Sequence, residues 1–301
     1  MFSKIKNYLR KFNTILEKLD FILESLGRIE NRQVQSLLKS NPQTNLEFKI
    51  YSQSGEDGII QWLISKIDIK KKTFIEFGVE SYLESNTRFL SLNNHWSGLV
   101  IDGDLENINF IKKDPIYWRR NLKAVSNFIT KDNVDEIFLS NGLSGEIGLL
   151  SIDVDGNDYW IFESISSVNP AIIVAEYNSF FGYKRKVTVP YDESFVRSKA
   201  HYSKTYYGAS INALTSLANL KGYKLVASNR SGNNIFFVRN DLMGDLNEIS
   251  VKDAYRQINF RESHNINGEL TFSSFEDSKK IMNDLHVFDI ESKKLVKIKD
   301  L

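Results

Sequence analysis

Two acidic strand ends, about two dozen residues apart, are the first places where this chain could do chemistry. Phe74-Ile75 runs into Glu76-Phe77-Gly78, and Leu99-Val100-Ile101 runs into Asp102-Gly103-Asp104. A glycine closing a strand lets the backbone approach a ligand, and a carboxylate closing the next strand can accept hydrogen bonds from a ribose diol. Only Gly78 stands where a pyrophosphate loop would need three glycines, so the turn suits a nucleoside without a diphosphate. Its flanking acids suit a cation. S-adenosylmethionine (SAM) meets both conditions better than NAD, and Glu76, Gly78 and Asp102 are the set expected to hold it. The plainer alternative is a tight turn at Gly78 and a helix cap at Asp102.

A second acidic group follows. Asp153, Asp155, Asn157 and Asp158 crowd the segment after the apolar run Ile147–Ile152, and the next run ends in Glu176 and Asn178. Ligands of open α/β sheets sit at the carboxyl ends of strands. Carboxylates this close repel one another, so a cation, a positively charged substrate or solvent must compensate. Asp153, Glu176 and Asn178 offer oxygen donors from adjacent strand ends, as a hard cation such as Mg²⁺ takes; the spacing lacks the twelve-residue frame and closing glutamate of an EF-hand. Without a metal, Asp153 would touch the cofactor, Asp158 would cap a helix and Asn178 would bond backbone. Methyl transfer to a hydroxyl needs an aligned nucleophile and a base for its proton. The base candidates are Asp155, Glu176 and His201, the last lying among Tyr202, Tyr206 and Tyr207, whose rings could stack on a sugar or simply pack a loop. Lys184, Arg185, Lys186 and Arg197 share that loop as solvated charges or as holders of an acceptor phosphate.

The elements that must position these groups follow from periodicity. Strands are expected at Thr73–Phe77, Gly98–Ile101, Leu122–Ser126, Ile147–Ile152, Ala171–Glu176, Tyr223–Ala227 and Asn234–Val238. Helices are expected at 56–67, 85–93, 131–139, 159–165 and 211–221. The alternation implies an α/β fold with a mainly parallel sheet. The last two strands are joined by only Asn229–Asn233, so they must be antiparallel. Seven strands ending in a reversed hairpin outline a Rossmann-like SAM-methyltransferase sheet. The segment at about 179–210 is long enough to be a lid or binding element. Residues 1–42 form a separate unit. Ile5, Phe12, Leu19 and Leu26 recur every seven residues with Tyr8, Ile15, Ile22 and Ile29 between them, a coiled-coil pattern that Asn41-Pro42-Gln43 ends. Leu9, Leu16 and Leu23 widen the stripe, and a basic start (Lys4, Lys6, Arg10, Lys11) also suits an anionic membrane surface. A homo-oligomer, peripheral membrane contact and packing on the chain's own body are the three readings. Residues 43–240 form the catalytic domain, and 241–301 an extension to which only a strand-like LTF after FRES (Phe260–Ser263) can be assigned.

The net charge of +1 argues neither for nor against nucleic acid, but the lack of a basic, aromatic-interleaved stripe argues against it. The absence of cysteine removes disulfides, thiolate metal sites and cysteine nucleophiles. No apolar run reaches membrane-span length and the N-terminus lacks a secretory pattern, so a cytoplasmic protein is expected, at the inner face of the membrane if the N-terminal helix binds there.

Several motifs resemble the FkbM-type SAM-dependent methyltransferases, in particular a bacterial subgroup associated with surface polysaccharides: SQSGEDG (Ser52–Gly58), EFG (Glu76–Gly78), ESNTRFL (Glu84–Leu90), WSGLVIDG (Trp96–Gly103), SIDVDGNDYW (Ser151–Trp160), EYNS (Glu176–Ser179) and YYGAS (Tyr206–Ser210). The resemblance spans about residues 50–240. It implies O-methylation of a sugar or glycan precursor and adds Gln53, Ser54, Glu84 and Asn86 to the cofactor contacts, with Asp153 beside them. The chain departs from the pattern at Glu80-Ser81-Tyr82, where a second glycine is expected. An N-methyltransferase for an amine, or a non-catalytic scaffold of the same fold in a polysaccharide assembly complex, are the alternatives.

Overall fold

The computed structural model describes residues 2–40, 45–259 and 261–301, so the Asn41-Pro42-Gln43 break and Phe260 of the FRES run lie outside the described residues. Helix α1 (Phe2–Ser40) precedes α2 (Glu56–Lys66). Strands and helices then alternate through β1 (Thr73–Phe77), α3 (Arg88–Asn94), β2 (Ser97–Asp102), α4 (Leu105–Lys113), α5 (Pro115–Arg119), β3 (Leu122–Ser126), α6 (Val134–Ser140), β4 (Gly145–Ile152), α7 (Asp158–Ser164) and β5 (Val168–Glu176). After β5 come the short β6 (Val187–Thr188) and the single-turn α8 (Arg197–Ala200), then α9 (Ile211–Leu220), β7 (Tyr223–Ser228) and β8 (Asn234–Arg239). The remainder holds α10 (Val251–Ala254), α11 (Phe275–Ile281), β9 (His286–Asp289) and β10 (Lys294–Lys297).

Seven strands form one sheet in the order β3-β2-β1-β4-β5-β8-β7. Strands β1 to β5 pair in parallel, and β8 runs antiparallel to both β5 and β7. This is the seven-stranded sheet with a reversed terminal hairpin that the sequence predicts. The hairpin turn is organised by Asn229, whose Oδ1 accepts the backbone N–H groups of Gly232, Asn233 and Asn234. Helices cover both faces, so the central strands are apolar on both sides. Phe74 and Leu149 point into one core and Ile75 and Leu150 into the other. Strand order runs outward in opposite senses from β1 and β4, so the crevice over their carboxyl ends is the switch point where open sheets take ligands.

Helix boundaries move where side chains capture backbone. The helix expected from residue 85 begins at Arg88, because Asn86 and Thr87 donate their N–H groups to Glu76. The one expected from 131 begins at Val134, after Asn133 Oδ1 has taken the Thr130 N–H. Helices α4 and α5 are additional, and each carries an aspartate cap: Asp104 accepts from Glu106 N–H and Asp114 from Ile116 N–H, the latter with Pro115 at the first helical position.

The tail is ordered around the segment that follows β5. Strands β10, β9 and β6 make a small antiparallel sheet. Its apolar face packs Val187, Val189, Met282 and Val287 with Phe180 and Phe181. The LTF run contributes one isolated bridge, between His264 and Leu270.

Helix α1 uses one face to dock and leaves another free. Val34 packs with Phe48, Ile50, Tyr51 and Phe89, flanked by Leu23 and Leu38. Gly27 lies on this docking face, where a Cβ would come within 2.8 Å of both Ile50 and Phe89. The heptad residues Ile5, Phe12, Ile15, Leu19, Ile22, Leu26 and Ile29 do not share it and remain 48 to 57% exposed. No helix among the described residues is long and apolar enough to cross a membrane.

Candidate active site

The site begins at two strand-end turns in contact. Gly78, with φ +74°, closes β1, and a Cβ there would lie 1.9 Å from the Asp153 carbonyl oxygen after β4. The glycine is therefore demanded by the approach of two backbones. Beyond it the chain stays left-handed at Glu80 (φ 45°) and Tyr82 (φ 61°) without glycine. Tyr82 is fully buried, and its hydroxyl lies 3.0 Å from Thr87 Oγ1.

Asp102 joins this turn to the end of β2. Its Oδ2 accepts the Glu80 N–H at 2.7 Å, and its Oδ1 accepts the Asp104 N–H at 2.8 Å and Asn107 Nδ2 at 3.0 Å. Asp104, not Asp102, caps the following helix. Glu76 is spent on the neighbouring loop: Oε1 accepts the Asn86 N–H, and Oε2 accepts the N–H and hydroxyl of Thr87. Burial pushes its pKa up to about 7 despite these donors. Asn86 in turn donates from Nδ2 to Ser151 Oγ at 3.0 Å.

These turns line a cavity of about 410 Å³ that reaches from the ends of β1 and β2 to those of β4 and β5. Among the described residues lining it, eight carry carboxyl groups: Glu76, Glu80, Glu84, Asp102, Asp104, Asp153, Asp155 and Glu176. Arg197 is the one basic residue among them. Gln53, Gly78 and Asn86 also face the cavity.

On the β4–β5 side, Asp153, Asp155 and Glu176 bring one carboxylate oxygen each to within 4.8 Å of one another. Glu176 is 8% exposed, and its Oε2 has no hydrogen-bond partner. Burial, then the charge of Asp153, raises its pKa well above the usual carboxylate range. Burial and the charges of Asp155 and Asp158 do the same to Asp153. Asp158 holds the turn together by accepting the N–H groups of Val154 and Gly156 at 2.9 and 3.0 Å, and burial pushes its pKa up to about 6. Asn157 donates from Nδ2 to the Asp192 carbonyl at 2.8 Å, while its Oδ1 is buried and unpartnered.

Arg197 crosses from the segment after β5. Its guanidinium donates to Asp155 Oδ1 at 2.7 Å, to Glu262 and to the Lys204 carbonyl at 2.6 Å, and stacks 3.8 Å over the Tyr207 ring. Burial works against its charge, but Tyr207, Glu176, Asp155 and Glu262 raise its pKa further above the ordinary value. This arginine is neither a solvated charge nor free for a phosphate. Arg185 and Lys186 are likewise taken, by Asp289 and Glu291.

Three expected site residues stand elsewhere. Asn178 is no metal ligand: its Oδ1 accepts the Phe180 N–H, its Nδ2 donates to the carbonyls of Thr205 and Tyr207, and it is completely buried. Asp155 takes its place in the acidic cluster. His201 does not line the cavity; its Nδ1 lies 2.7 Å from Ser203 Oγ and its ring against Tyr202. Ser54 also falls outside, its N–H held by Glu56. Glu84 lines the rim and pairs with Lys49 at 2.9 Å. The sequence places Asn157 in the acidic run without giving it a role, and it does not point to Asn234, Phe195 or Glu262. Nothing local to those three marks them, since each reaches the site from an element far along the chain.

No protein-family model and no curated protein matches the chain. Solved structures overlap it in part. The N-terminal domain of EvdMO1 with SAH bound is 13% identical over 70% of this chain and 95% of that one, with a TM-score of 0.41. An S-adenosylmethionine-dependent methyltransferase from Clostridium acetobutylicum is 8% identical over 69% and 98%, at 0.40. An O-methyltransferase from Bacillus cereus in complex with SAH is 8% identical over 69% and 90%, at 0.38. Overlaps of this extent assign neither an activity nor a substrate, and the fold rests on the strand order itself.

Proposed function

We propose that this chain is a SAM-dependent methyltransferase acting on a hydroxyl group of a sugar or glycan precursor. The observation that carries the reading is the charge of the cavity: eight carboxyl residues and one arginine at the switch point of the sheet. Such a wall repels diphosphate cofactors and favours a cationic nucleoside. The residues present fit SAM. Asp102 faces the cavity at the end of β2 as a ribose acceptor, the Gly78 turn leaves backbone exposed beside it, and Gln53, Glu84 and Asn86 form the wall near the amino-acid end. When bound, SAM supplies an electrophilic methyl group.

The protein's own part is to hold the acceptor and take its proton. Glu176 Oε2, buried and unpartnered, is the group able to receive a hydroxyl proton, and the neighbouring Asp153 charge favours the protonated form that results. Asn157 Oδ1 offers a second unpartnered acceptor for a neighbouring donor of a polyhydroxyl ligand. A cation-assisted version is favoured by one observation, the three carboxylates within 4.8 Å, although Arg197 already neutralises Asp155.

Calorimetry tests the cofactor directly. SAM and SAH should bind with micromolar affinity while NAD does not; absence of heat at high SAM concentration would sink the proposal. Labelled SAM offered with nucleotide sugars, glycan fragments and amines then identifies the acceptor. A labelled amine product alone would replace the hydroxyl reading. Repeating the assay after chelation, with and without Mg²⁺, decides the cation.

A further inference from the structure

We propose that the β4–β5 end of the cavity is an ammonium-selective acceptor subsite, taking a sugar that carries a free amino group beside its reactive hydroxyl and no phosphate there. This rests on the reading above that the β1–β2 end holds SAM. The rest of the wall comes from four separate stretches of chain: the turn after β4, the end of β5, the segment after β5 and the start of β8. Phe195 supplies its apolar surface. Its ring lies hard against the turn after β4, where a Cβ on Gly156 would come within 2.1 Å of it, and Tyr206 backs it. An aromatic side chain in a cavity wall, with a few polar groups around it, suits the carbon face of a sugar ring.

The polar atoms at this end are lopsided. Two buried oxygens have no partner, Glu176 Oε2 and Asn157 Oδ1, the second on a residue 4% exposed and outside the carboxylate cluster. The side-chain nitrogens beside them are already donating within the protein. Asn157 Nδ2 serves the Asp192 carbonyl, Asn234 Nδ2 serves Glu56 at 3.0 Å, and each nitrogen of Arg197 has its own acceptor. The open positions therefore ask for hydrogen-bond donors. An ammonium group carries three donors and no acceptor, whereas a phosphate or carboxylate brings acceptors only. Charge points the same way. Arg197 is shared between Asp155 and Glu262, and among the described residues no ion pair reaches Asp153 or Glu176. Two carboxyl groups are thus left for a cation from outside, where removal from water strengthens the attraction. A protonated nitrogen has no lone pair to methylate, so the transfer stays on the hydroxyl.

Saturation-transfer NMR titrations of the SAH-saturated chain, just below neutral pH, test the subsite with glucosamine and galactosamine. Glucose, galactose, the N-acetyl forms and the 6-phosphates of the two amines are the comparisons. The amines should bind about tenfold or more tightly than the parent sugars, the worth of one charge-assisted hydrogen bond, and the phosphates should not bind. Glu176→Gln should bring the amines down to the level of the parent sugars in the same protein, and Asp153→Asn repeats the test should that variant misfold. Phe195→Ala should weaken amines and parent sugars by the same factor. Equal binding of amines and parent sugars, binding of the phosphates as tight as that of the amines, or no sugar binding at all overturns the inference; the cofactor reading stands wherever SAH binds. A preference abolished by added Mg²⁺ also overturns it, since the oxygens then belong to a metal. If SAH itself gives no heat, the function proposed above falls, and the same sugar series on the unliganded chain still decides the subsite.

Discussion

In the proposed reaction Glu176 condenses the chemistry of the site into one oxygen. It is buried, faces the cavity and lacks a partner, whereas Asp155 is paired with Arg197. Replacing Glu176 by Gln keeps the shape and removes the proton acceptor, so turnover should fall about 10²–10⁴-fold while SAM affinity, read by calorimetry, changes little. Burial and Asp153 hold the Glu176 carboxyl well above its ordinary value, so the basic form gains population as pH rises. The rate of the parent should climb through that range and the variant should lose the climb; equal profiles would remove Glu176 from the role. The sequence made this residue findable because an apolar run ends on it. It could not say that Asn178, two positions later, turns its amide into the backbone of the next segment, since strand alternation has already stopped at Glu176. Arg197 and Glu262 stand 65 residues apart, and nothing local to either predicts their pairing.

Strands and helices were legible to the extent that their periodicity was set by burial. The parallel strands carry apolar runs because both faces are covered, and the short connection at Asn229–Asn233 fixed the reversed pair. Helix starts were blurred where Glu76 and Asn133 take backbone N–H groups that a helix would otherwise leave free. The tail stayed unreadable because its strands are four residues long and join the fold only through β9, which pairs with a segment about one hundred residues earlier in the chain. Helix α1 shows the opposite case, one pattern so clear that it hid a second. Its glycine marks the docking face. Gly27→Leu would force atoms onto Ile50 and Phe89, an overpacking that costs about 1–3 kcal/mol. Amide exchange should then speed up along residues 23–38 and not in β1 or β4; unchanged protection there would show that the contact can relax.

Across the whole molecule, buried acids make folding depend on pH. Asp57 and Asp158 are pushed up to about 6 and Glu76 to about 7, each by burial first. Raised values mean that the folded state binds more protons than the unfolded chain. The stability they contribute is complete below the ordinary carboxylate pKa and is lost as pH rises through about 6 to 7. The unfolding temperature should therefore decline from pH 5 to pH 8, and Glu76→Gln should flatten part of that decline. A rise over the same interval would contradict the burial of these acids as protonated groups. The contact between Gly78 and the Asp153 carbonyl has a consequence for redesign. With no room for even a methyl between the two turns, the spacing of the cavity floor is set there by main chain. An engineer wishing to retarget the protein would gain little by editing that floor. The side chains that the segment after β5 turns to the cavity, Phe195 and Arg197, stand apart from that floor and are the ones to vary while it keeps its gauge.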